Sequence, residues 1–502
     1  MSARNQALLA IFAGLALSVA SASAGGCGGS KTNPLNGDDN GTDASSAFGG
    51  GGDDSGGGGA SGGGGASGGG IFGTGGSDAG SVTGNTCANG GGLACDVAPN
   101  CTTSLTGTVY DPAGRNPIYN AVVFIPTDPA GKLQTITPGT HTCSSCDVSI
   151  GNYVTATTTD TKGHFTLTGV PAAAKVPFVV QIGKWRREVF LPTIKACTTT
   201  AVPAASSRLP KNKGEGDMPQ MALLTGLADQ LGCFMAQLGI DPQEFTAPHG
   251  GGRLDVYQGV GGSGVTGGTA GNCQSSSCPL WATKADLESY DIAVLACEGG
   301  EHTETKTMPE IQNMHDWLNE GGKVFATHYH YVWFKNGPTD FANAATWKGN
   351  SPGAGAGQYA IDTTFPKGKV LHDWLANVGA LTNGTIAMSG VADSVGAVNK
   401  PTQRWIYDSS SMDVKYLSLL TPVGGAPQAA DAGESSASYC GKAVFSDLHA
   451  GGTGLLQADV PGGCPTGALT AQEQALEFLF FDLSACVANE SLPPPPPPQP
   501  TK

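Results

Sequence analysis

The chain has 502 residues, with 26 basic and 41 acidic side chains and a net charge of −15. This excess of negative charge argues against nucleic acid and anionic lipid headgroups as partners, because both need a basic face. The 14 cysteines are typical of an oxidising compartment, where disulfides form and persist. The length is sufficient for two or three domains.

Residues 1–26 have the pattern of a bacterial signal peptide. Arg4 supplies the positive charge, and an apolar run from Ala7 to Ala20 follows, too short to span a bilayer comfortably. The segment Ala22-Ser23-Ala24 is the small-x-small pattern that signal peptidases accept. We therefore expect the protein to be exported to the cell envelope.

The residues that follow, Gly25-Gly26-Cys27-Gly28, resemble a bacterial lipobox. The resemblance implies that Cys27 is lipidated, which would attach the chain to a membrane and make it an outer-membrane or surface lipoprotein. Ala24 departs from the pattern, since lipoboxes prefer Leu at that position. The alternative is ordinary cleavage after Ala24, which would release a soluble protein.

A Gly/Ser-rich segment, residues 27–86, separates the signal peptide from the rest of the chain. Such a composition buries too little apolar surface to offset its ordering entropy, so we expect a disordered tether. As a flexible coil of about 60 residues it would span roughly 45 Å. At the other end, residues 489–502 contain a run of prolines and are expected to form a disordered tail.

Residues 87–203 are predicted to form an all-β domain. Short alternating runs such as 105–110 and 121–125 are separated by turn residues such as Asp111-Pro112-Ala113-Gly114. Strands at this spacing predict a small β-sandwich.

Two motifs in this domain carry a family resemblance. The segment 106–114, followed by Asn120-Ala121-Val122-Val123, and the segment 159–171, with its Asp-x-x-Gly-x-Phe pattern, resemble a carboxypeptidase regulatory-like domain. The resemblance implies a prealbumin-like β-sandwich, related to carbohydrate-binding-like folds and without catalytic activity. An insertion with Cys143-Ser144-Ser145-Cys146 departs from the pattern. A CxxC can be a redox or zinc element, but in a secreted domain we expect a structural bridge.

From residue 204 to residue 488 the pattern changes to alternating strands and helices, which predicts a mostly parallel sheet with helices on both faces. The predicted strands are 221–224, 292–296, 323–327 and 443–445, and the predicted helices are 228–238, 309–320, 370–378 and one that opens at the capping box 470–473.

The run Tyr290 to Leu295 and the helix–Gly-Gly–strand segment 318–328 resemble the core of a class I glutamine amidotransferase-like domain, of the trehalose-utilisation type. The resemblance implies a three-layer, flavodoxin-like α/β domain. The family places a nucleophilic Cys on a sharp turn after a central strand. Here that turn reads Ala326-Thr327-His328-Tyr329 and has no Cys, so thiolate-dependent amide hydrolysis at this turn is not expected.

Several reactive side chains follow the predicted strands of this domain, where open α/β sheets place their ligands. They are Cys297, Glu298, His302, His328, His330 and His449. A thiol beside a histidine suits a cysteine nucleophile, with Cys297, His328 and His449 as catalytic candidates. Several histidines suit a metal such as zinc, with His328, His330 and His449 as candidate ligands. A packed edge or a ligand-binding pocket is the third interpretation, since aromatic residues adjoin these histidines.

The cysteines fall into two blocks if Cys27 is lipidated. The first block has six members, enough for three bridges, and the second has seven, which leaves one thiol over. The first block is Cys87, Cys95, Cys101, Cys143, Cys146 and Cys197, and the second is Cys233, Cys273, Cys278, Cys297, Cys440, Cys464 and Cys486. We predict the pairs Cys273–Cys278, Cys440–Cys464 and Cys233–Cys486, with Cys297 as the free thiol.

Two functions remain open at the level of the sequence. The first is a non-enzymatic, lipid-anchored envelope protein without a cofactor, whose two domains bind glycan, peptidoglycan or another envelope component. The alternative is a secreted hydrolase that uses the crevice of His328, His330 and His449, with zinc or a Cys/His pair.

Overall fold

The computed structural model describes residues 92–140, 143, 150–349, 355–425, 439–451, 458–485 and 487–493. The predicted signal peptide, the tether and most of the proline-rich tail lie outside the described residues, as do Cys27, Cys87, Cys146 and Cys486. Within the described ranges, the helices are too short or too polar to cross a bilayer.

The first part of the described chain, residues 92–217, is called the β-rich half. Its strands are β1 (Ser104–Thr108), β2 (Val122–Pro126), β3 (Tyr153–Thr158), β4 (His164–Thr168), β5 (Val176–Ile182), β6 (Trp185–Leu191), β7 (Thr199–Ala201) and β8 (Gly216–Asp217).

The remaining described residues, 221–493, are called the α/β half. Its strands are β9 (Met221–Thr225), β10 (Phe245–Thr246), β11 (Leu254–Gln258), β12 (Gly271–Asn272), β13 (Ile292–Leu295), β14 (Lys323–Thr327), β15 (Ala345–Trp347), β16 (Gly355–Ile361), β17 (Leu381–Thr382), β18 (Thr385–Val391), β19 (Val395–Val398), β20 (Gln403–Tyr407), β21 (Val414–Thr421) and β22 (Gly441–Ser446). Its helices are α1 (Leu231–Gln237), α2 (Lys284–Leu287), α3 (Met308–Asn319), α4 (Val332–Lys335), α5 (Thr339–Ala342), α6 (Pro366–Asn377) and α7 (Ala471–Ser484).

The β-rich half consists of two sheets, in the orders β4-β1-β7 and β3-β2-β5-β6-β8. Strand β4 alternates between exposed and buried residues, as the period of a strand with one buried face requires. Its buried Phe165 lies 5.7 Å from Phe178 of the other sheet, so the two sheets pack face to face. Strand β8 pairs with β6 and lies beyond residue 203, where the sequence places the domain boundary.

The α/β half is built on one large mixed sheet. Along β10-β11-β9-β13-β14-β22 every neighbouring pair is parallel. Beyond β22 the sheet continues antiparallel through β21, β20, β16, β18 and β17. The expectation of a mostly parallel sheet is therefore wrong for residues 355–421. Several connections in that region are too short for a crossover helix, and short connections make neighbouring strands antiparallel.

The four predicted strands of the parallel part are confirmed to within two residues at each end, because each is a continuous apolar run. Buried residues of β9 alternate between two cores: Met221 and Leu223 face one, Ala222 and Leu224 the other. Helices α1 and α7 cover the first face and α3 covers the second. A strand buried on both faces needs apolar residues throughout. The predicted capping box of α7 is present, with Thr470 and Glu473 bonded reciprocally.

The β-rich half packs on helix α7 of the α/β half. Tyr119 stacks on Phe478 at 6.2 Å between ring centroids, and Trp185 meets Phe481 edge-on at 5.9 Å. The indole of Trp374 donates a hydrogen bond to the carbonyl of Pro117 at 2.7 Å. Residues of both halves belong to one buried apolar cluster, so both halves fall in one compact unit.

The local predicted disulfide, Cys273–Cys278, is present, and Cys101 pairs with Cys197 inside the β-rich half. Cys297 is buried and is the free cysteine of the described residues.

Two predicted pairings are wrong. Cys233 is bonded to Cys464 instead of Cys486, and Cys440 is bonded to Cys143 instead of Cys464. Because Cys143 is bonded to Cys440, the CxxC motif does not form an internal disulfide. The first block of cysteines therefore does not pair only among its own members. The partners of the two bridges are separated by 231 and 297 positions in the sequence, respectively. Such distant partners are brought together by the tertiary fold.

Candidate functional site

Three potential metal ligands meet at one edge of the parallel sheet. Cys297 follows β13, His328 follows β14, and His449 follows β22. Leu295 is paired with Ala326, and Ala326 with Phe445, so these three strands end level with one another. As a result, one donor atom from each of Cys297, His328 and His449 lies within 4.8 Å of the other two.

If the two-residue edge strand β10 is left out, the parallel strands β9, β11, β13, β14 and β22, counted along the chain, stand in the order 2-1-3-4-5. The order reverses between β9 and β13, and ligands of open α/β sheets bind outside the carboxyl ends of the strands at such a reversal. The cluster of Cys297, His328 and His449 lies at these carboxyl ends.

His328 occupies the sharp turn between β14 and a short 3₁₀ helix, His328–Tyr331. Its φ of 39° lies in the left-handed region, which non-glycine residues rarely adopt outside strained or functional turns. The turn brings Nδ1 of His328 to 3.4 Å from Sγ of Cys297, whose side chain is fully buried. The turn therefore presents an imidazole at the position where the amidotransferase resemblance implies a thiol.

A hydrogen bond to a backbone carbonyl orients the ring of His449. Its Nδ1 lies 2.8 Å from the carbonyl oxygen of Gly390, in β18. A carbonyl only accepts, so Nδ1 carries the hydrogen and Nε2 of the neutral ring keeps a lone pair. This Nε2 is buried and has no hydrogen-bond partner among the described residues. The ring lies edge-on to His328, with 5.2 Å between centroids.

The two histidines have opposite electrostatic surroundings. Burial, together with the neighbouring His449 and His330, lowers the pKa of His328 to about 3, so this ring is neutral. Burial also disfavours the charged form of His449, but the sulfur of Cys297, the carboxylate of Asp229 and the Gly390 carbonyl outweigh it. They raise the pKa of His449 to about 9.

Asp229 and Thr327 connect the backbones behind the cluster. Asp229 follows β9 and is buried. Its Oδ1 accepts from the N–H of Ala450 at 2.8 Å, and its Oδ2 accepts from the hydroxyl of Thr327 at 2.6 Å. The Thr327 oxygen in turn accepts from the N–H of Cys297 at 3.0 Å. The sequence interpretation did not include Asp229, although a polar residue just after a buried strand is the signal that would have found it.

His330, a predicted metal ligand, has both ring nitrogens engaged elsewhere. Its Nδ1 accepts from the indole of Trp333 at 3.1 Å, so Nε2 carries the hydrogen and donates to the carbonyl of Ala296 at 2.9 Å. Burial lowers the pKa of His330 to about 4. The structure therefore places His330 in the packing behind Cys297, outside the group of donor atoms.

Glu298 and His302, which the sequence also places at the end of β13, have other partners. Glu298 and Lys306 form a buried ion pair at 2.6 Å, and Glu298 also accepts from the N–H of Val260 at 3.0 Å. His302 lies 3.1 Å from Glu304. Neither Glu298 nor His302 belongs to the cluster of donors.

Asp447 secures the segment that carries His449. It is fully buried, and its Oδ2 accepts from the N–H of Ser394 at 2.7 Å, while Ala392 donates to its carbonyl at 3.0 Å. Burial raises the pKa of Asp447 to about 6. Gly390 lies in β18, and Ala392 and Ser394 lie in the segment that joins β18 to β19, so this antiparallel region orients His449.

Several solved structures are similar to this chain. No family model matches the chain, and no curated protein matches it. A ThuA-like protein from Bacteroides uniformis is 10% identical, with 52% of this chain and 88% of that chain covered and a TM-score of 0.26. A cytoplasmic protein from Salmonella typhimurium is 10% identical, with 46% and 87% covered and a TM-score of 0.23. At these TM-scores the similarities carry no conclusion about this chain.

Proposed function

We propose that this chain is an exported, metal-dependent hydrolase that binds one zinc ion through Cys297, His328 and His449. The observation that carries the proposal is the convergence of these three donor atoms within 4.8 Å at the carboxyl ends of parallel strands. Thiolate and imidazole are both ligands that zinc takes in proteins.

The spacing of the donors supports the same proposal. Zinc–sulfur and zinc–nitrogen bonds of about 2.3 and 2.0 Å at a tetrahedral angle put the two ligand atoms about 3.5 Å apart. The distance from Sγ of Cys297 to Nδ1 of His328 is 3.4 Å. For this pair of ligands, therefore, only a small adjustment is needed to admit the ion.

The orientation of His449 is that of a metal ligand. A ligating histidine usually donates its second ring N–H to a carbonyl or carboxylate, which fixes the tautomer and the direction of the ring. His449 donates from Nδ1 to Gly390 and leaves Nε2 available. A protonated imidazole cannot bind metal, so the neutral His328 can bind directly, whereas zinc would have to displace a proton from His449, whose pKa is about 9.

A three-ligand centre supports a catalytic assignment over a structural one. Catalytic zinc sites have three protein ligands and a fourth position for water, whereas structural sites are closed by four. In the described part of the chain, no fourth His, Cys, Asp or Glu joins the cluster. The adjacent carboxylate of Asp229 already accepts a hydrogen bond on each oxygen. Bound zinc would supply an activated water for hydrolysis.

The rest of the chain suggests where this site would act. The signal-peptide pattern, the lipobox-like Cys27 and the tether support an envelope protein held on a membrane. The four described disulfides suit an oxidising compartment. We propose a carboxypeptidase regulatory-like fold for the β-rich half and a flavodoxin- or amidotransferase-like fold for the α/β half. Binding of glycan, peptidoglycan or another envelope component stays a prediction.

Metal analysis of the exported chain, purified without a histidine tag, tests the proposal. We expect about one zinc per chain in the wild type, and loss of that zinc in Cys297→Ser and in His449→Ala. His315→Ala is the matched control, because His315 is a half-buried histidine on α3 that is bonded to Asp340 and lies outside the cluster.

Hydrolysis is tested on the same samples with a chromogenic acetate ester. Activity should disappear on treatment with a zinc chelator and return when zinc is added. A wild-type protein that takes up no zinc, or that loses zinc equally in His315→Ala, would contradict the metal site. Stoichiometric zinc without hydrolysis would contradict the catalytic assignment.

A further inference from the structure

We infer that Asp229 is the positioning residue of this site: one buried carboxylate holds the three ligand-bearing segments at their mutual spacing. The inference rests on the proposed zinc site and deepens it. It concerns the ends of four strands, β9, β13, β14 and β22. These strands come from separate segments of the chain and meet at one edge of the sheet.

The two oxygens of Asp229 bind the neighbours of two ligands. Oδ1 accepts from the N–H of Ala450, the residue after His449. Oδ2 accepts from the hydroxyl of Thr327, the residue before His328. The bonds are 2.8 and 2.6 Å long, and the carboxylate is buried, so water does not compete effectively for either bond.

Thr327 extends this connection to the third ligand. Its single hydroxyl hydrogen is directed to Asp229 at 2.6 Å in preference to the carbonyl of Leu295 at 3.2 Å. Its oxygen is then free to accept the N–H of Cys297 at 3.0 Å. Asp229 therefore contacts the residue after His449 and the residue before His328 directly. Through the side chain of Thr327 it is also connected to the backbone of Cys297.

The geometry assigns Asp229 a role behind the ligands and not among them. Both of its oxygens already accept hydrogen bonds, and its atoms do not join the group of donors around the proposed ion. Outer partners of this kind fix the direction of metal ligands, and losing one typically weakens metal binding 10- to 100-fold.

Substitutions at Asp229 separate positioning from charge. Asp229→Ala removes both acceptors. Asp229→Asn removes the charge but retains an oxygen for Ala450 and an amide that can donate to Thr327, whose hydroxyl then turns to Leu295. Thr327→Val removes the hydroxyl, and Thr327→Ser retains it. If the role is positioning, Asp229→Asn and Thr327→Ser should retain the zinc affinity that Asp229→Ala and Thr327→Val lose.

The matched control is Asp255→Ala. Asp255 is a buried carboxylate on β11 that accepts from the N–H of His249 at 2.9 Å and from the hydroxyl of Tyr290 at 3.0 Å. It makes the same kinds of bonds as Asp229 but does not contact the cluster. It therefore reports the general cost of removing a buried carboxylate from this sheet.

The experiment measures the zinc dissociation constant of the full exported chain by competition with a chromogenic chelator. We expect about 10- to 100-fold weaker binding in Asp229→Ala and Thr327→Val, and values within about threefold of wild type in Asp229→Asn, Thr327→Ser and Asp255→Ala. An Asp229→Ala chain within threefold of wild type would overturn the inference. So would an equal loss in Asp255→Ala. If Asp229→Ala does not fold, Thr327→Val against Thr327→Ser decides the question.

Failure of the zinc site itself gives a different result, because the wild type would then bind no zinc. Positioning is still measurable in that case through the buried thiol. In zinc-free protein, iodoacetamide labelling of Cys297, followed by peptide mass spectrometry, should be at least tenfold faster in Asp229→Ala than in wild type or Asp255→Ala. Equal labelling rates in Asp229→Ala and wild type would refute the role of Asp229 independently of zinc.

Discussion

Replacing His330 with alanine should destabilise the fold while one zinc still binds per chain. His330 is buried and bonds through both ring nitrogens, to the carbonyl of Ala296 and to the indole N–H of Trp333. The substitution leaves both partner groups buried without a hydrogen bond. Each such group costs about 1–3 kcal/mol, so we expect the free energy of unfolding to fall by about 2–6 kcal/mol.

The assay is urea-induced unfolding of the disulfide-bonded chain, followed by tryptophan fluorescence, with zinc content measured on the same samples. His328→Ala is the reference variant. It should show the reverse pattern, with zinc lost and a smaller change in stability, because Nε2 of His328 has no hydrogen-bond partner among the described residues.

A change below about 1 kcal/mol in His330→Ala would refute the structural role of that histidine, since it falls outside the range for two unsatisfied buried groups. Complete loss of zinc together with unchanged stability would show that His330 is a ligand, as the sequence suggested.

Three further predictions concern the assembly of the whole chain. Phe478→Ala, at the contact between the two halves, should cost about 3–5 kcal/mol and lower a single calorimetric transition; two separate transitions would contradict the shared core. Hydrogen bonds from Arg208 lower the pKa of Glu215 to about 2. The contribution of this ion pair to the free energy of unfolding is therefore complete above pH 4.5 and is lost as the pH falls towards 2. The difference in unfolding free energy between wild type and Glu215→Gln, on the order of 1 kcal/mol for this partly exposed pair, should therefore disappear over that range, and a constant difference would refute it. The double variant Cys143→Ser, Cys440→Ser should lose about 2–5 kcal/mol, and an unchanged melting temperature would contradict this.

The predictable part of the fold lies in the parallel strands and their helices. Strand 323–327 coincides with β14, and the capping box at Thr470 begins α7. These signals are local: a strand buried on both faces requires an apolar run, and a helix start requires a side-chain cap. The antiparallel strands from β16 to β21 were not predicted, because their pairing depends on neighbours far along the chain or on turns with weaker signals.

The sequence also predicted where reactive groups would meet, since Cys297, His328 and His449 each follow a strand of one sheet. It did not separate ligands from packing residues. His328 and His330 are two positions apart and look equivalent in the sequence, yet a left-handed turn directs the first to Cys297 and the packing of Trp333 and Ala296 holds the second.

By itself, then, the sequence determined the strand ends that carry the site, because burial and capping act over a few residues. The tertiary structure decided which side chains converge there. Asp229 joins the site only because β9 lies beside β13 in the sheet, and His449 is oriented by Gly390 in a strand that the sequence did not reveal. The disulfides follow the same division: Cys273–Cys278 closes a local loop, whereas Cys143–Cys440 requires the two halves to be packed first. Contacts between distant segments depend on how strands and helices pack, and no local pattern of residues encodes that packing.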